Sequence, residues 1–363
     1  MAIPYSRLAR LLHWVALQPQ AVRRLSFDLE RRSLGAVAPS TRPERPVYVC
    51  GLARSGTTLL LQLLHGTGAF ASASYRDMPF VLAPQLWRRL RGPAAPVTAA
   101  AERAHGDGLL VDLDSVEAFE EVFWRTASAE PADLPELLQA FADYRRIVTR
   151  AAGLRHDAAT PLRYLSKNNN NLERLELLLH EPQAQVLLAC REPLATATSL
   201  WRMHQRFQQM QAADSFVGHY MRWLGHHEFG AGHRPPASLR RRLDPALQST
   251  APDYWLGLWC AAHEALQDLT DPRIRLVQHE WLRATAAPLL QQLLGWLQVT
   301  GDTQALAQAV RTATPPPDAA TTTASRFDPA LVRRAQHLHG VLLVHPLSLR
   351  ADAHSISSAM TER

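Results

Sequence analysis

The chain has 363 residues, of which 47% are hydrophobic and 20% are charged, a balance typical of a globular protein with a substantial buried core. Its formal net charge of +6 would suit a nucleic acid, a membrane surface or an anionic small molecule. The basic residues are scattered and form no stripe interleaved with aromatic residues, so we predict a polyanionic small-molecule ligand and no nucleic acid.

The N-terminal segment, residues 1–45, is predicted to be a helical extension. The stretch "SRLARLLHWVALQPQAVRRLSFDLERR" alternates apolar and basic residues in the manner of amphipathic helices packed on a larger domain. Its apolar runs are too short for a signal-peptide core or a membrane-spanning helix. A membrane-surface or partner-docking role is the less favoured alternative.

Strand-like and helical patterns then alternate along the chain. Residues 46–50 are predicted to form a buried strand, and the segments "RYLSK", "AQVLLACR" and "IRLVQHE" to form further strands, each followed by a helical pattern. Continuous apolar strands joined through helices are typical of a parallel sheet that helices cover on both faces. We therefore predict a P-loop-like α/β domain with helical insertions over residues 46–345, followed by a tail at 346–363.

Two segments depart from this alternation. Residues 85–150 are predicted to be a mostly helical insertion. Residues 225–253 are rich in proline, glycine and histidine and have no clear period. They are interpreted either as a lid or acceptor-binding loop or as a plain surface excursion.

The three cysteines are Cys50, Cys190 and Cys260. Their number is odd, they form no CxxC motif, and two of them lie within predicted buried strands. We expect reduced thiols in the core, which favours a cytoplasmic location.

The stretch "VYVCGLARSGTTLLLQLL", residues 47–64, has the layout of a phosphate-binding loop: a strand, a glycine-containing turn and a helix. Gly51 and Gly56 permit a tight turn, and the start of the helix presents free N–H groups to an anion. Hydroxyl groups and a guanidinium add further donors. The residues expected to contact the anion are Arg54, Ser55, Gly56, Thr57 and Thr58.

The lysine of an NTP-cleaving loop is missing, because Thr57 stands in its position. No hydrophobic strand ends in an aspartate that could help to hold Mg²⁺. The loop is therefore interpreted as a site for a phosphate ligand whose group transfer needs no metal. A P-loop nucleotide-binding protein or kinase-like enzyme remains the alternative.

A second anion site is predicted at "REPLATATS". Arg191 follows a buried strand, Pro193 suits the first turn of a helix, and Ser199 lies eight residues beyond the arginine. Arg191 and Ser199 could both reach one phosphate if the chain turns back between them. The alternative is a structural ion pair between Arg191 and Glu192.

These two motifs together resemble those of the PAPS-dependent sulfotransferase family. The family's [RK]-S-G-[TS]-[TS] loop appears as R-S-G-T-T at residues 54–58, and its R-x-P motif with a later serine appears as R-E-P at 191–193 with Ser199. The stretch between them is similar to the family's order of lysine, turn, helix and strand. "IRLVQHEWL" resembles the family's Tyr/His-Glu-x-Leu stretch after a later strand.

The resemblance implies a co-substrate, 3′-phosphoadenosine 5′-phosphosulfate (PAPS), and no metal. Residues 54–58 would hold its 5′-phosphosulfate, and Arg191 with Ser199 its 3′-phosphate. The C-terminal R-K-G-x-x-G element of the family's cytosolic branch is absent, so the chain is more similar to the bacterial and Golgi-type branches. Leu59 and Leu60 follow the loop where the cytosolic branch has a tryptophan.

Lys167 is the one lysine among 39 basic residues. It ends the "RYLSK" strand, at the edge of a parallel sheet where ligands bind. Its compact ammonium could stabilise negative charge on the transferring group, a role that the resemblance also implies. The alternative is an ordinary solvated lysine.

Two residues are candidates for the general base that would take the acceptor's proton. Asp77, in "SASYRDMPF", falls where carboxylate-using branches of the family place their base; its alternative is a turn cap or an ion pair with Arg76. His105, in "ERAHGDG", is an imidazole that titrates near neutral pH, one of 16 histidines in the chain. The choice between them stays open.

The acceptor's identity stays open as well. A carbohydrate, a lipid headgroup, a peptide tyrosine and a small phenol or alcohol all carry a suitable hydroxyl group. A protein that binds the nucleotide without turnover is the non-enzymatic alternative, and the oligomeric state is unknown.

Overall fold

A parallel sheet of five strands forms the centre of the protein, in the order β2-β5-β1-β6-β7. The computed structural model describes residues 5–35, 44–92, 101–102, 110–111, 116, 118–128, 133–156, 161–313 and 324–350. The strands are β1 (Val47–Gly51), β2 (Phe70–Ala71), β3 (Ala101–Glu102), β4 (Leu110–Val111), β5 (Arg163–Lys167), β6 (Gln185–Cys190) and β7 (Ile274–Gln278). Strands β3 and β4 form a separate antiparallel pair.

Helices connect these strands and cover both faces of the sheet, as the sequence predicts. They are α1 (Arg7–Leu17), α2 (Gln20–Ser33), α3 (Thr57–His65), α4 (Pro84–Arg91), α5 (Glu120–Ala127), α6 (Leu134–His156), α7 (Leu175–Leu178), α8 (Pro193–Ala213), α9 (Ser215–Leu224), α10 (Ala237–Arg242), α11 (Pro252–Glu264), α12 (His279–Ala284), α13 (Ala286–Leu297), α14 (Thr303–Thr312) and α15 (Pro329–Leu343). Within the described ranges, no helix combines the length and the apolar composition that crossing a bilayer requires.

The two faces of the sheet carry separate hydrophobic cores. Successive side chains of a strand point to opposite faces, so Val47 and Val49 join one core while Tyr48 and Cys50 join the other. Leucines of α3 and α13 fill the first core, and α8, α11 and α15 pack in the second. Burial on both faces explains why β1 and β6 appear in the sequence as unbroken apolar runs.

Both ends of the described chain are packed on this scaffold. Leu17 of α1 and Phe27 of α2 are buried in the core that also contains Tyr48. Near the other end, Leu347 and Leu349 exchange backbone hydrogen bonds with Leu276 of β7. The packed part of the chain therefore continues a few residues beyond the expected domain end at residue 345.

The segment after β5 departs from the predicted helix. A 3-10 turn spans Asn169–Glu173 and only the four residues of α7 are α-helical. Asparagine side chains compete with the helical backbone for hydrogen bonds, and here the Oδ1 atom of Asn168 accepts from the N–H of Asn170 at 3.1 Å. The asparagine run thus holds a tight polar turn in place of the first helical turns.

Two buried carboxylates fix this asparagine turn. Glu120 accepts hydrogen bonds from Tyr164 Oη at 2.8 Å and Asn171 Nδ2 at 2.8 Å. Glu121 accepts from Asn168 Nδ2 at 2.8 Å and forms a bidentate pair with Arg174. Because α5 supplies both carboxylates, it determines where the chain goes after β5.

We predict that Glu120→Gln lowers the free energy of unfolding by about 2–3 kcal/mol, because the amide NH₂ would face donors and leave a buried group unsatisfied. Urea unfolding measures this difference. Glu136→Gln, the same change at an exposed position of α6, is the matched control and should shift stability by less than about 0.5 kcal/mol. Equal stability of Glu120→Gln and the control would contradict the prediction.

Candidate active site

The loop between β1 and α3 requires both of its glycines. Gly51 has φ +149° and a Cβ atom there would lie 2.7 Å from the carbonyl oxygen of Ala189. Gly56 has φ +94°, and its Cβ would lie 2.7 Å from Nδ1 of His279. The backbone can pass β6 and the imidazole only without side chains, so the loop closes tightly and α3 begins at Thr57.

The two anion motifs predicted from the sequence meet at Arg54. Its backbone has φ +71°, a left-handed conformation that costs energy for a residue with a side chain and often marks a functional site. The Nε atom of Arg54 donates to Ser199 Oγ at 3.0 Å, and Nη1 of Arg191 donates to the carbonyl oxygen of Arg54 at 3.1 Å. Residues 193–199 belong to the continuous helix α8, so the two motifs meet through Arg54 and not through a turn of the chain between Arg191 and Ser199.

Glu192, which the sequence suggests as an ion-pair partner of Arg191, caps a helix in the structure. Its carboxylate caps α8 by accepting from the N–H groups of Leu194 at 3.1 Å and Ala195 at 2.6 Å. The carbonyl oxygen of Arg191 accepts from Trp259 Nε1 at 3.1 Å. The cap and the tryptophan fix the end of β6 and hold Arg191 beside the loop.

Unsatisfied polar atoms line this loop. Ser55 is 1% exposed, and neither its Oγ atom nor Nδ1 of His279 has a hydrogen-bond partner among the described residues. Buried polar groups are normally hydrogen-bonded, so exceptions point to a missing ligand. Free N–H groups at the start of α3, two guanidinium groups and these atoms together fit a phosphate-bearing ligand.

His279 is a loop neighbour that was not among the predicted site residues. Burial lowers its pKa to about 3, and the nearby charges of Arg191 and Arg283 contribute. The "QHEWL" stretch resembles a family segment, but the sequence does not indicate that His279 lies against Gly56, because that contact depends on the fold. The imidazole is therefore neutral at physiological pH beside a cationic site.

Lys167 lies at the carboxyl end of β5, next to the loop strand. It pairs in register with Val49 of β1 and is 7% exposed, so it is not the solvated lysine that was the alternative. Its ammonium contributes to lowering the pKa of Glu228, which brings these two charges into one neighbourhood.

Asp77 has structural contacts on both carboxylate oxygens. Oδ2 accepts from the backbone N–H of Ser74 at 2.8 Å, which closes a capping box around a 3-10 turn. Oδ1 accepts from Arg155 Nη1 at 2.5 Å. The turn cap named as the alternative is thus present, and Arg155 is an ionic partner of Asp77. The role of Asp77 as a base stays a prediction. His105 lies outside the described residues.

A cleft open to solvent adjoins the loop. Gly51, Leu52 and Ala53 form part of its wall, next to Asn169 from the asparagine turn and Glu228 from the histidine-rich segment. The segment 225–253 is therefore not a remote surface excursion. Among the described residues, no group of three or more histidines, cysteines or acids is placed to hold a metal ion.

Comparison with protein-family models gives one assignment. The model described as "Sulfotransferase family" matches residues 46–234, more than half of the chain. This chain belongs to the sulfotransferase family. The matched range contains both anion motifs, Lys167 and Glu228, and ends before α10 and His279. A comparison with the curated proteins finds no match.

Several solved structures resemble this chain at the level of the fold. The sulfotransferase STF9 from Mycobacterium avium is 16% identical, with 93% of this chain and 86% of that chain covered at a TM-score of 0.50. The sulfotransferase STF1 from Mycobacterium tuberculosis H37Rv is 14% identical, with coverages of 92% and 87% and a TM-score of 0.48. A retinol dehydratase in complex with androsterone and the inactive cofactor PAP is 11% identical, with coverages of 95% and 97% and a TM-score of 0.30.

The sulfotransferase should lose stability as pH falls, in part through His279. Its pKa of about 3 lies below the ordinary value near 6.5, so the unfolded chain binds the proton first and the folded state is penalised as pH falls through 6.5. We predict that His279→Gln loses about 1 kcal/mol less unfolding free energy than the wild type between pH 7.5 and 5.5.

Urea unfolding at the two pH values measures this difference. Other histidines with lowered pKa values, such as His204 and His263, are present in both proteins and cancel. Parallel pH profiles for the two proteins would contradict the assignment of a depressed pKa to His279.

Proposed function

We propose that this sulfotransferase transfers a sulfuryl group from PAPS to a hydroxyl acceptor by in-line displacement. The observation that carries the proposal is the pair of contacts at Arg54, whose Nε donates to Ser199 Oγ at 3.0 Å and whose carbonyl oxygen accepts from Arg191 at 3.1 Å. These two contacts bring the loop and the Arg191–Ser199 motif together, so both could bind one ligand.

A nucleoside with 3′- and 5′-phosphates carries both anionic groups on one ribose, so its two binding sites must lie side by side. A nucleoside triphosphate carries its phosphates in a row and needs one continuous cradle with a lysine and Mg²⁺. The contact of Arg54 with Ser199 suits the first geometry. Residues 54–58 would hold the 5′-phosphosulfate, while Arg191 and Ser199 would bind the 3′-phosphate.

The remaining elements of the reaction are charge stabilisation and proton removal. PAPS brings an activated sulfuryl group and a phosphate leaving group. Lys167, buried at the end of β5, would stabilise negative charge that develops on transfer. Asp77 and His105 are the bases that the sequence offers. We expect no metal, since the loop cations and hydroxyls meet the anion directly.

The location is proposed to be cytoplasmic. All three cysteines are buried and unpaired, which is typical of proteins kept in a reducing compartment.

The donor site is tested with 3′-phosphoadenosine 5′-phosphate (PAP), the product that remains after transfer. We predict that calorimetry detects PAP binding to the wild type and that Arg54→Ala and Arg191→Ala each weaken it about 10- to 150-fold, since a charge-assisted hydrogen bond contributes about 1.5–3 kcal/mol. Arg88→Ala, on the exposed side of α4, is the matched control and should bind PAP as the wild type does.

Two outcomes would contradict the proposal. Absence of PAP binding to the folded wild type removes the donor assignment. Binding and hydrolysis of Mg·ATP without PAP binding would support the kinase-like alternative.

A further inference from the structure

We propose that the cleft beside the loop binds the acceptor, that this acceptor is an apolar alcohol or phenol, and that Glu228 is the base that accepts its hydroxyl proton. This inference rests on the proposed function. The cleft, called the acceptor cleft below, is bounded by residues 51–53, 169–172, 227–239 and 255–258 together with Leu200.

The acceptor cleft shares a wall with the donor site. Gly51, Leu52 and Ala53 line it, and Arg54, the next residue, belongs to the proposed 5′-phosphosulfate site. Asn169 and Asn170 line the cleft two and three residues after Lys167. A hydroxyl group bound in the cleft would therefore approach the sulfuryl group between the loop and the end of β5.

The lining of the acceptor cleft selects the class of acceptor. Most of its wall is apolar and comes from three helices, the asparagine turn, the loop and a proline pair. Its large apolar side chains are Leu52, Leu172, Leu200, Leu239, Trp255 and Leu258. The polar side chains come from two short stretches, 169–170 and 227–234. A sugar would bring hydroxyl groups to the apolar wall, where they would have no partners. A compound with one hydroxyl group on an apolar body would bury that body against the wall.

The histidines of the cleft add no positive charge at neutral pH. Burial lowers the pKa of both His227 and His233. His233 is fixed by the hydroxyl group of Tyr254, which lies 2.7 Å from its Nε2. A fixed anionic acceptor group, such as a carboxylate, would therefore find only Arg234 among the lining cations. An uncharged hydroxyl compound needs no cation in the wall of the cleft.

A continuous set of contacts connects Glu228 to the loop. Thr57 Oγ1 donates to Asn169 Oδ1 at 3.4 Å, and Asn169 Nδ2 donates to Glu228 Oε1 at 3.1 Å. One asparagine side chain thus separates the carboxylate from the start of α3, where the 5′-phosphosulfate is proposed to bind. Glu228 lines the cleft and its side chain is 19% exposed, so a bound hydroxyl group can reach it.

The segment that carries Glu228 is held in place on both sides. Asn170 Nδ2 donates to the carbonyl oxygen of Gly225 at 3.3 Å, and the N–H of Arg234 donates to the carbonyl oxygen of His227 at 2.9 Å. The backbone around Glu228 is thereby a closed turn docked on the asparagine turn. A base must be oriented before the acceptor arrives, and this turn provides the orientation.

Donor binding would make Glu228 a stronger base. Burial raises its pKa, but His226 and Lys167 overcome that effect and lower the pKa to about 2. The carboxylate is therefore ionised at neutral pH but is a weak base while the donor is absent. The negative charges of the bound donor would offset the charge of Lys167 and raise the pKa of Glu228 toward the range in which a carboxylate is an effective base.

The reaction balances with these groups. The acceptor oxygen forms a bond to sulfur while the bond from sulfur to the 5′-phosphate oxygen breaks. The bonding electrons leave with that oxygen, which gives PAP, and the acceptor proton passes to Glu228. The products are the sulfate monoester and PAP, and the proton is later released to solvent.

Both carboxylates have partners, since Oε1 of Glu228 accepts from Asn169 and Oε2 lies 3.6 Å from Nδ1 of His226. The two carboxylates differ in their position relative to the cleft. Both oxygens of Asp77 are engaged by Ser74 and Arg155, and Asp77 is not among the lining residues of the acceptor cleft. Glu228 lines that cleft and is connected through Asn169 to the loop. Of the two carboxylates, Glu228 is therefore the one assigned to proton removal.

The acceptor class is tested with three probes: 2-naphthol, 1-octanol and methyl α-glucoside. PAP release from PAPS by the wild type is measured by chromatography at equal probe concentrations. We expect turnover with 2-naphthol or 1-octanol at a rate at least tenfold above that with the glucoside. A faster rate with the glucoside, or no turnover with either apolar probe by protein that binds PAP, overturns the acceptor class. Failure to bind PAP overturns the proposed function itself.

The base is tested with Glu228→Gln, which keeps an oxygen for Asn169. We predict that kcat with the active apolar probe falls about 100- to 10,000-fold and that PAP affinity stays within threefold of the wild type. In the wild type, kcat should fall at acid pH because Glu228 becomes protonated, and this fall should be absent in the variant. Glu136→Gln, at an exposed position outside the site, is the control and should keep wild-type kcat.

The loss of kcat in Asp77→Asn is compared with that in Glu228→Gln to decide which carboxylate is the base. PAP binding checks that each variant is folded. A larger loss of kcat in Glu228→Gln than in Asp77→Asn supports the assignment. The reverse order, or wild-type kcat in Glu228→Gln with an unchanged pH profile, overturns it.

Discussion

The site depends on the contact between its two anion motifs. Arg191 donates to the backbone carbonyl oxygen of Arg54 at 3.1 Å while Arg54 donates to Ser199 at 3.0 Å, so the loop after β1 is fixed to the end of β6 and to α8. Positive charge also gathers here, because Arg191 and Arg283 contribute to the low pKa of His279. An anion with two phosphate groups would be attracted by this charge, so the contact that fixes the loop also suits a binding site.

The sheet order brings the reacting groups to one edge. Strand β1 lies between β5 and β6, and the carboxyl ends of parallel strands meet at the same edge. Lys167 at the end of β5 and Arg191 after β6 therefore flank the loop that follows β1. Burial on both faces sets the register, and the carboxylates of α5 then fix where the chain goes after Lys167. The order of the strands therefore determines, more than any single contact does, which residues lie together in the site.

The sequence predicted those parts of the site that short motifs encode. The loop and the Arg191–Ser199 pair each occupy fewer than ten consecutive residues, and unbroken apolar strands revealed the parallel sheet. His279 and Glu228 were missed because their partners, Gly56 and Asn169, are distant in the chain, and spacing alone carries no information on such contacts. The asparagine run was expected to be helical because local propensity cannot include Glu120, a partner from another helix. Asp77 was chosen by position, and its contact with Arg155 depends equally on the fold.

Donor and acceptor chemistry are coupled through one side chain. Asn169 contacts both Thr57 in the loop and Glu228 in the acceptor cleft, and Lys167 acts electrostatically on the same carboxylate. In the proposed mechanism, His226 and Lys167 keep the pKa of Glu228 low without a donor, so an acceptor that enters alone would meet only a weak base. The negative charges of a bound donor would offset the charge of Lys167, and the carboxylate would gain basicity where proton removal is needed. The lysine proposed to stabilise the leaving charge would thereby also affect the base, because its charge acts on both groups at once.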